Sequence, residues 1–132
     1  NNKKIVFSVT HLDNSSEEAR IYGGNLILEK LSYYYKNYPF VLMGDFNSLP
    51  TDEVYKNMCN KFSEVKNIYN FEPKGTFTCD ADFNVDSNAE ELEIDFIFVN
   101  NFVNIENVNI LRNSFNGKYI SDHFPVVANI NI

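Results

Sequence analysis

The sequence predicts an α/β fold, a mixed β-sheet with helices packed on it. Three observations predict it. Apolar runs of strand length recur at Ile5–Val9, Phe40–Met43 and Leu92–Val99. The segment between the first two carries apolar residues at helical spacing. Strands and helices alternate at first, and strands dominate later. No repeat and no internal boundary divides the 132 residues, which suffice for one domain with a modest core.

Ile5–Val9 is apolar at nearly every position, so both of its faces are expected to be covered. It ends at Thr10-His11-Leu12-Asp13-Asn14. Ser15, with Glu18 three residues on, reads as a capping box opening a helix from about Ser16 to Tyr35. Ile27, Leu28, Leu31 and Tyr35 share one face, which Gly24 extends. Gly23 and Gly24 each cost about 1 kcal/mol relative to Ala in a helix, and close packing on a sheet is the expected compensation. Phe40–Met43 is a buried strand running into the corner Gly44-Asp45-Phe46-Asn47. Gly44 lets the backbone turn or be approached closely there. Pro50 or Thr51 begins a short helix to about Asn60, with Val54, Tyr55 and Met58 as its apolar face.

Phe62–Asn70 alternates weakly and reads as an irregular strand. Pro73-Lys74-Gly75 is a turn, and Thr76–Cys79 a short strand. Residues 80–91 form an acidic loop. Asp80, Asp82, Asn84, Asp86, Asn88 and Glu91 fall at calcium-loop spacing. The sharp turn of such a loop needs Gly where Val85 stands, and strand-like sequence flanks it, so a solvated acidic surface is the preferred reading. Leu92–Val99 is a third apolar strand, interrupted only by Glu93 and Asp95. Val108–Leu111 and Phe124–Ile130 complete the series.

Hydrophobic residues make up 44% and aromatics 15%, the composition of a folded chain. A net charge of −7 repels phosphate backbones and anionic membranes, which argues against salt-driven, non-specific nucleic-acid binding. It leaves room for an enzyme whose bound cations reverse the charge locally. Cys59 and Cys79 lie far apart without a CxxC pattern. Two free thiols in a reducing, intracellular compartment is the default expectation, with one disulfide still open. No apolar run approaches membrane-span length, and the leading NNKK is not a signal peptide.

The polar residues at strand ends carry the chemistry. Asp45 and Asn47 follow the central strand and, on an extended chain, point to one side. An Asx turn is the other reading of that pair. His11 and His123, the chain's two histidines, each stand where an apolar strand begins or ends. His11 also reads as a core histidine bonded to backbone. Asp95 lies within an apolar run, and burying an unpaired charge costs several kcal/mol, so it requires a partner. Asp122 beside Ser121 reads either as a turn or as a site residue. Together, His, Asp and Asn are the types that phosphoester hydrolysis needs. One group deprotonates water, one orients that base, and others hold a metal and neutralise the developing charge.

Thr10-His11-Leu12, Gly44-Asp45-Phe46-Asn47, Ile94-Asp95-Phe96-Ile97 and Ser121-Asp122-His123-Phe124-Pro125-Val126 resemble, in order and spacing, the motif series of the endonuclease/exonuclease/phosphatase (DNase I-like) superfamily. That group includes pancreatic-type deoxyribonuclease, apurinic endonucleases, neutral sphingomyelinases, inositol-polyphosphate 5-phosphatases and the deadenylase branch. Gly44 to Met58 also looks like that last branch. The resemblance implies a hydrolase dependent on Mg²⁺ or Mn²⁺. It gives His123 the reacting phosphate, as base or stabiliser, and makes Asp95 the carboxylate that orients it. Asp45 would align or deprotonate water. Asn47 would bind phosphate or metal, His11 would stabilise phosphate charge, and Asp122 would lie at the metal with Asp45 and Asn47. Asp13 and Arg20 match only a subgroup pattern, and turn and helix-surface roles suit them better.

The resemblance further implies a four-layer α/β/β/α sandwich of about twice this length. All the motifs here belong to its second half. Residues 1–132 are therefore expected to be a single partial domain, the carboxyl-terminal half, whose partner half lies in the same or another chain and supplies a metal-anchoring Glu. Without that half, Ile5-Phe7-Val9 and Phe96-Phe98 are expected to expose an apolar patch. Expected substrates are an oligonucleotide, a lipid or a sugar phosphate, with small or single-stranded ones favoured by the acidic charge. Phe77 reads as core packing or as a substrate wall. The rival reading is a non-catalytic half-domain acting as a binding module.

Overall fold

The computed structural model describes residues 4–85 and 87–132. Asn1–Lys3 of the leading NNKK and Asp86 of the acidic loop lie outside the described residues. The elements run β1 (Val6–His11), α1 (Glu17–Tyr34), β2 (Phe40–Asp45), α2 (Glu53–Cys59), β3 (Ser63–Glu64), α3 (Val65–Ile68), β4 (Phe77–Thr78), β5 (Glu91–Leu92), β6 (Asp95–Val99), β7 (Asn104–Ile110), β8 (Ser114–Phe115), β9 (Lys118–Tyr119) and β10 (Val126–Asn131). The main sheet has the order β1-β2-β6-β3. β1 and β2 are parallel, joined across α1, while β6 is antiparallel to β2, so the sheet is mixed as expected.

Strand pleating sorts this sheet into two faces. Phe40, Leu42, Phe96 and Phe98 point to one side and pack with Leu31 of α1 and Val54, Tyr55 and Met58 of α2. Val41, Ile97 and Val99 point to the other and pack with Val103 and Val108, beneath the antiparallel pair β7–β10. The result is three layers: helices, main sheet, second sheet.

Several expectations need correction. α1 is capped by Ser16, not Ser15. Ser16 is extended (φ −112°, ψ 113°) and its Oγ accepts from the Ala19 N–H. The Asp13 carboxylate takes the Ser15 and Ser16 N–H groups, which moves the cap on by one residue. The helix glycines are offset by a helix, not by a sheet: a Cβ on Gly24 would lie 3.1 Å from Val54 Cγ1 of α2. Tyr35 lies beyond the helix as an exposed C-cap. Phe62–Asn70 is a two-residue strand followed by the short helix α3. The run Leu92–Val99 is broken. Leu92 pairs with Phe77 of β4, and the main-sheet strand starts only at Asp95.

The expectation that both faces of the first strand are covered fails. β1 is an edge strand of the main sheet, and Phe7 and Val9 are 58% and 75% exposed. The expected exposure of Phe96 and Phe98 fails too, because α1 and α2 bury them. In the loop after β4, the Asp80 carboxylate turns onto the Asp82 and Asn84 N–H groups, a self-contained turn. Cys59 and Cys79 are free and exposed. Among the described residues, no helix is long and apolar enough to cross a membrane.

Candidate active site

Register assembles the site. His11 is paired with Asp45, and Asp45 with Asp95, so the last residue of β1, the last of β2 and the first of β6 form one row. The same face carries Val9, Met43 and Ile97 one pleat further back. Each apolar strand thus ends in a polar residue at the same height. Gly44 makes this approach possible. Its φ is +144°, and a Cβ there would sit 1.8 Å from the Thr10 carbonyl oxygen, which no side chain tolerates.

The Asp45–Asn47 corner is the Asx turn, not an extended chain, and both residues line one cleft. Asp45 Oδ1 accepts the Asn47 N–H at 2.7 Å, an Asx turn with Asn47 in the left-handed region at φ +46°. That turn brings Asn47 Nδ2 within 2.8 Å of the Leu12 carbonyl, tying the corner to the end of β1. Asp45 Oδ2 is left facing the cleft. It lies 3.5 Å from His11 Nε2 and 3.9 Å from His123 Nε2.

His123 comes from the far end of the chain. β4 brings it in: Phe77 bridges His123, the Thr78 N–H donates to the Asp122 carbonyl, and the Phe124 N–H donates to the Thr76 carbonyl. His123 Nδ1 lies 2.9 Å from Asp95 Oδ2. A carboxylate only accepts, so Nδ1 carries the hydrogen and Nε2 faces Asp45. Asp95 thereby has the partner its position required. Phe77 sets its ring 4.9 Å from the His123 ring, tilted by 57°, and lines the cleft.

His11, Asp45, Asn47, Asp122 and His123 all line one open cleft of about 550 Å³, and Asp95 stands behind His123. His11 is well exposed at 73%, not a core histidine. Asp122 sits across the cleft with its carboxylate accepting from the Ser121 hydroxyl. Asp13 and Arg20 stay at the helix start, where Arg20 donates to the Asp13 carbonyl.

The electrostatics follow from the layout. Partial burial raises the Asp45 pKa; the Asn47 N–H opposes this and the nearby Asp95 adds to it. Burial pulls His123 down, but the hydrogen bond and charge of Asp95, with Asp45 and Asp122, outweigh it and the pKa is raised. Asp45, Asp95 and His123 bring one ligand atom each within 4.8 Å of one another, a group able to hold a metal ion. Oxygen donors of this kind suit a hard divalent cation. Asp95 Oδ2 and His123 Nδ1 already satisfy each other, so Asp45, with Asn47 and Asp122 on the same cleft, is the better-placed ligand.

Sequence reasoning missed two residues that touch Asp95. Lys66 Nζ donates to the Asp95 carbonyl, and Thr76 Oγ1 accepts the Asp95 N–H. The unexplained Glu93 inside an apolar run was the available signal, because it too needed a buried cation.

The model of the Endonuclease/Exonuclease/phosphatase family matches residues 4–123. No curated protein matches the chain. Solved structures do. A functionally unknown conserved protein from Enterococcus faecalis V583 is 34% identical, with a TM-score of 0.86 over 99% of this chain and 51% of its own. A mannosyl-6-phosphatase of Bacteroides thetaiotaomicron VPI-5482 is 24% identical, with a TM-score of 0.82 over 98% of this chain and 52% of its own. The human Nocturnin catalytic domain, solved with a bound sulfate anion, is 25% identical, with a TM-score of 0.76 over 98% of this chain and 47% of its own. The chain spans about half the length of the structures it matches.

Proposed function

The chain belongs to the endonuclease/exonuclease/phosphatase family, and on that premise we propose that it carries most of the active site of a divalent-metal-dependent phosphoester hydrolase. The observation that carries this reading is the row His11–Asp45–Asp95 meeting His123 at one cleft. Asp45 and His123 both line the open cleft, with Asp45 Oδ2 3.9 Å from His123 Nε2.

The geometry divides the work. Asp45, with Oδ1 on the Asn47 N–H and Oδ2 toward the two histidines, aligns or deprotonates the attacking water. His123, whose pKa Asp95 raises so that it holds its proton more tightly than a free imidazole, stabilises the charge on the phosphoryl oxygens. Asp95 fixes its tautomer and ring plane. His11 approaches the same oxygens from the opposite wall, and Asn47 presents its amide beside Asp45. Asp45, Asn47 and Asp122, on one cleft, would hold Mg²⁺ or Mn²⁺, which would supply neutralisation of phosphoryl charge and a more acidic water.

We assign residues 1–132 to the carboxyl-terminal half of an α/β/β/α domain, with remaining metal ligands from the other half. The half-length coverage of the matched structures supports this. The test is hydrolysis by the longest product of the gene, with Mg²⁺ or Mn²⁺. The panel is a single-stranded oligonucleotide, poly(A), sphingomyelin, inositol phosphates and an aryl phosphodiester. Turnover of one class, abolished by EDTA and restored by metal, supports the reading and names the substrate. Metal binding without turnover of any member would replace it with the binding-module reading.

A further inference from the structure

Beneath the site lies a buried charge cluster that the roles above do not use. The side chains of Lys66 and Glu64 are both 0% exposed, and that of Glu93 is 14% exposed. Lys66 Nζ lies 3.6 Å from Glu64 Oε1 and 3.4 Å from Glu93 Oε1. Among the described residues, neither oxygen has a hydrogen-bond partner. The ammonium spends its one good hydrogen bond, at 2.6 Å, on the carbonyl of Asp95, and covers the Phe96 ring at 4.5 Å. Burying three ionisable groups costs several kcal/mol, and an apolar triad of the same shape would often be more stable. Stability alone therefore does not account for the cluster.

The backbone geometry says what the cluster does. Ile94 turns its carbonyl toward β2, where it accepts the Phe46 N–H. Asp95, the next residue, turns its N–H and C=O to the outer edge of β6. β3 pairs along that edge only as far as Glu64 opposite Phe98, so it stops short of Asp95. Two buried side chains take the strand's place: Thr76 Oγ1 accepts the Asp95 N–H at 3.0 Å, and Lys66 donates to the Asp95 C=O. Thr76 also receives the Phe124 N–H on its carbonyl, beside His123.

We propose that Lys66 is a positioning residue, which, held by Glu64 and Glu93, grips the Asp95 carbonyl opposite Thr76 and so fixes the Asp95 carboxylate on His123 Nδ1. The activity arm of the test rests on the phosphoesterase reading; the spectroscopic arm does not. The longest gene product carrying Lys66→Met is compared with wild type for kcat, KM and the downfield proton resonance of His123 Nδ1–H. Expected are a kcat lower by about 10- to 100-fold, an unchanged KM, and a resonance shifted upfield or lost. Both are read well below Tm, so that loss of folded protein does not contribute. Should Lys66→Met not fold, Glu64→Gln/Lys66→Met/Glu93→Gln removes the three buried charges together and is read the same way. A folded variant that keeps the wild-type resonance and kcat overturns the proposal. A triple variant that fails to fold assigns the cluster to stability and overturns it too. If wild type hydrolyses no substrate, the phosphoesterase reading fails and the resonance alone decides the role of Lys66.

Discussion

The two faces of the main sheet share the same four strands and the same alternation of side chains, yet they end differently. On the helical face, Phe40, Leu42, Phe96 and Phe98 are at most 2% exposed. On the other, Val41 and Val99 are as well buried, but Phe7 and Val9 stand open at the β1 edge. The difference lies in the cover. α1 and α2 together cover the helical face, whereas the β7–β10 pair packs on the β2 and β6 residues of the other and leaves Phe7 and Val9 of β1 open. The half-open face is also the one whose strand ends carry His11, Asp45 and Asp95. Apolar character therefore decides that a strand forms. What covers it decides whether a residue contributes to stability, to association or to chemistry.

The comparison can be broken at either face. The largest effect is catalytic: Asp45→Ala or His123→Ala should cut turnover by about 10²- to 10⁴-fold at matched folded fraction. On the helical face, Phe98→Ala should cost about 3–5 kcal/mol, measured by urea denaturation. Gly44→Ala should cost about 1–3 kcal/mol or more, because the added methyl meets the Thr10 carbonyl in a left-handed backbone. On the open edge, Val9→Thr should stay within about 0.5 kcal/mol of wild type and reduce self-association, seen by light scattering. A cost there like that of Phe98→Ala would mean that β1 is covered in solution.

Protonation sharpens the contrast further. The folded-state pKa of His123 lies above its unfolded value, so the native state binds that proton more tightly. The resulting stabilisation is complete below about pH 6.5 and is lost as pH rises through the higher folded value. Asp95→Asn removes the charge and acceptor that raise it. The variant should show a lower His123 pKa by NMR and a flatter decline of stability above about pH 6.5. An unchanged His123 titration would detach Asp95 from its orienting role.

Much of this was legible in the sequence because strand ends are. Phe40–Met43 running into Gly44-Asp45, and Ser121-Asp122-His123 before a final apolar run, mark Asp45, Asp122 and His123 as candidates without any tertiary knowledge, and the runs Ile5–Val9 and Leu92–Val99 point in the same way to His11 and Asp95. What stayed hidden depends on distant residues. The break in Leu92–Val99 is made by Thr76, whose hydroxyl takes the Ile94 and Asp95 N–H groups from 18 and 19 positions away. α3 has four residues, too few to show a helical period. Ser15 and Ser16 are equivalent as caps until Asp13 chooses between them. Lys66 looks like a surface lysine in its local sequence, and only the pairing of β3 with β6 buries it.

The most direct test of the central claim compares steady-state hydrolysis by wild type and His123→Ala at matched folded fraction, in the longest gene product with saturating Mg²⁺. The account predicts a metal-dependent wild-type rate and a loss of at least about 100-fold in the variant. Equal rates from the two proteins would contradict it, because the row of strand ends would then have been assembled for something other than catalysis.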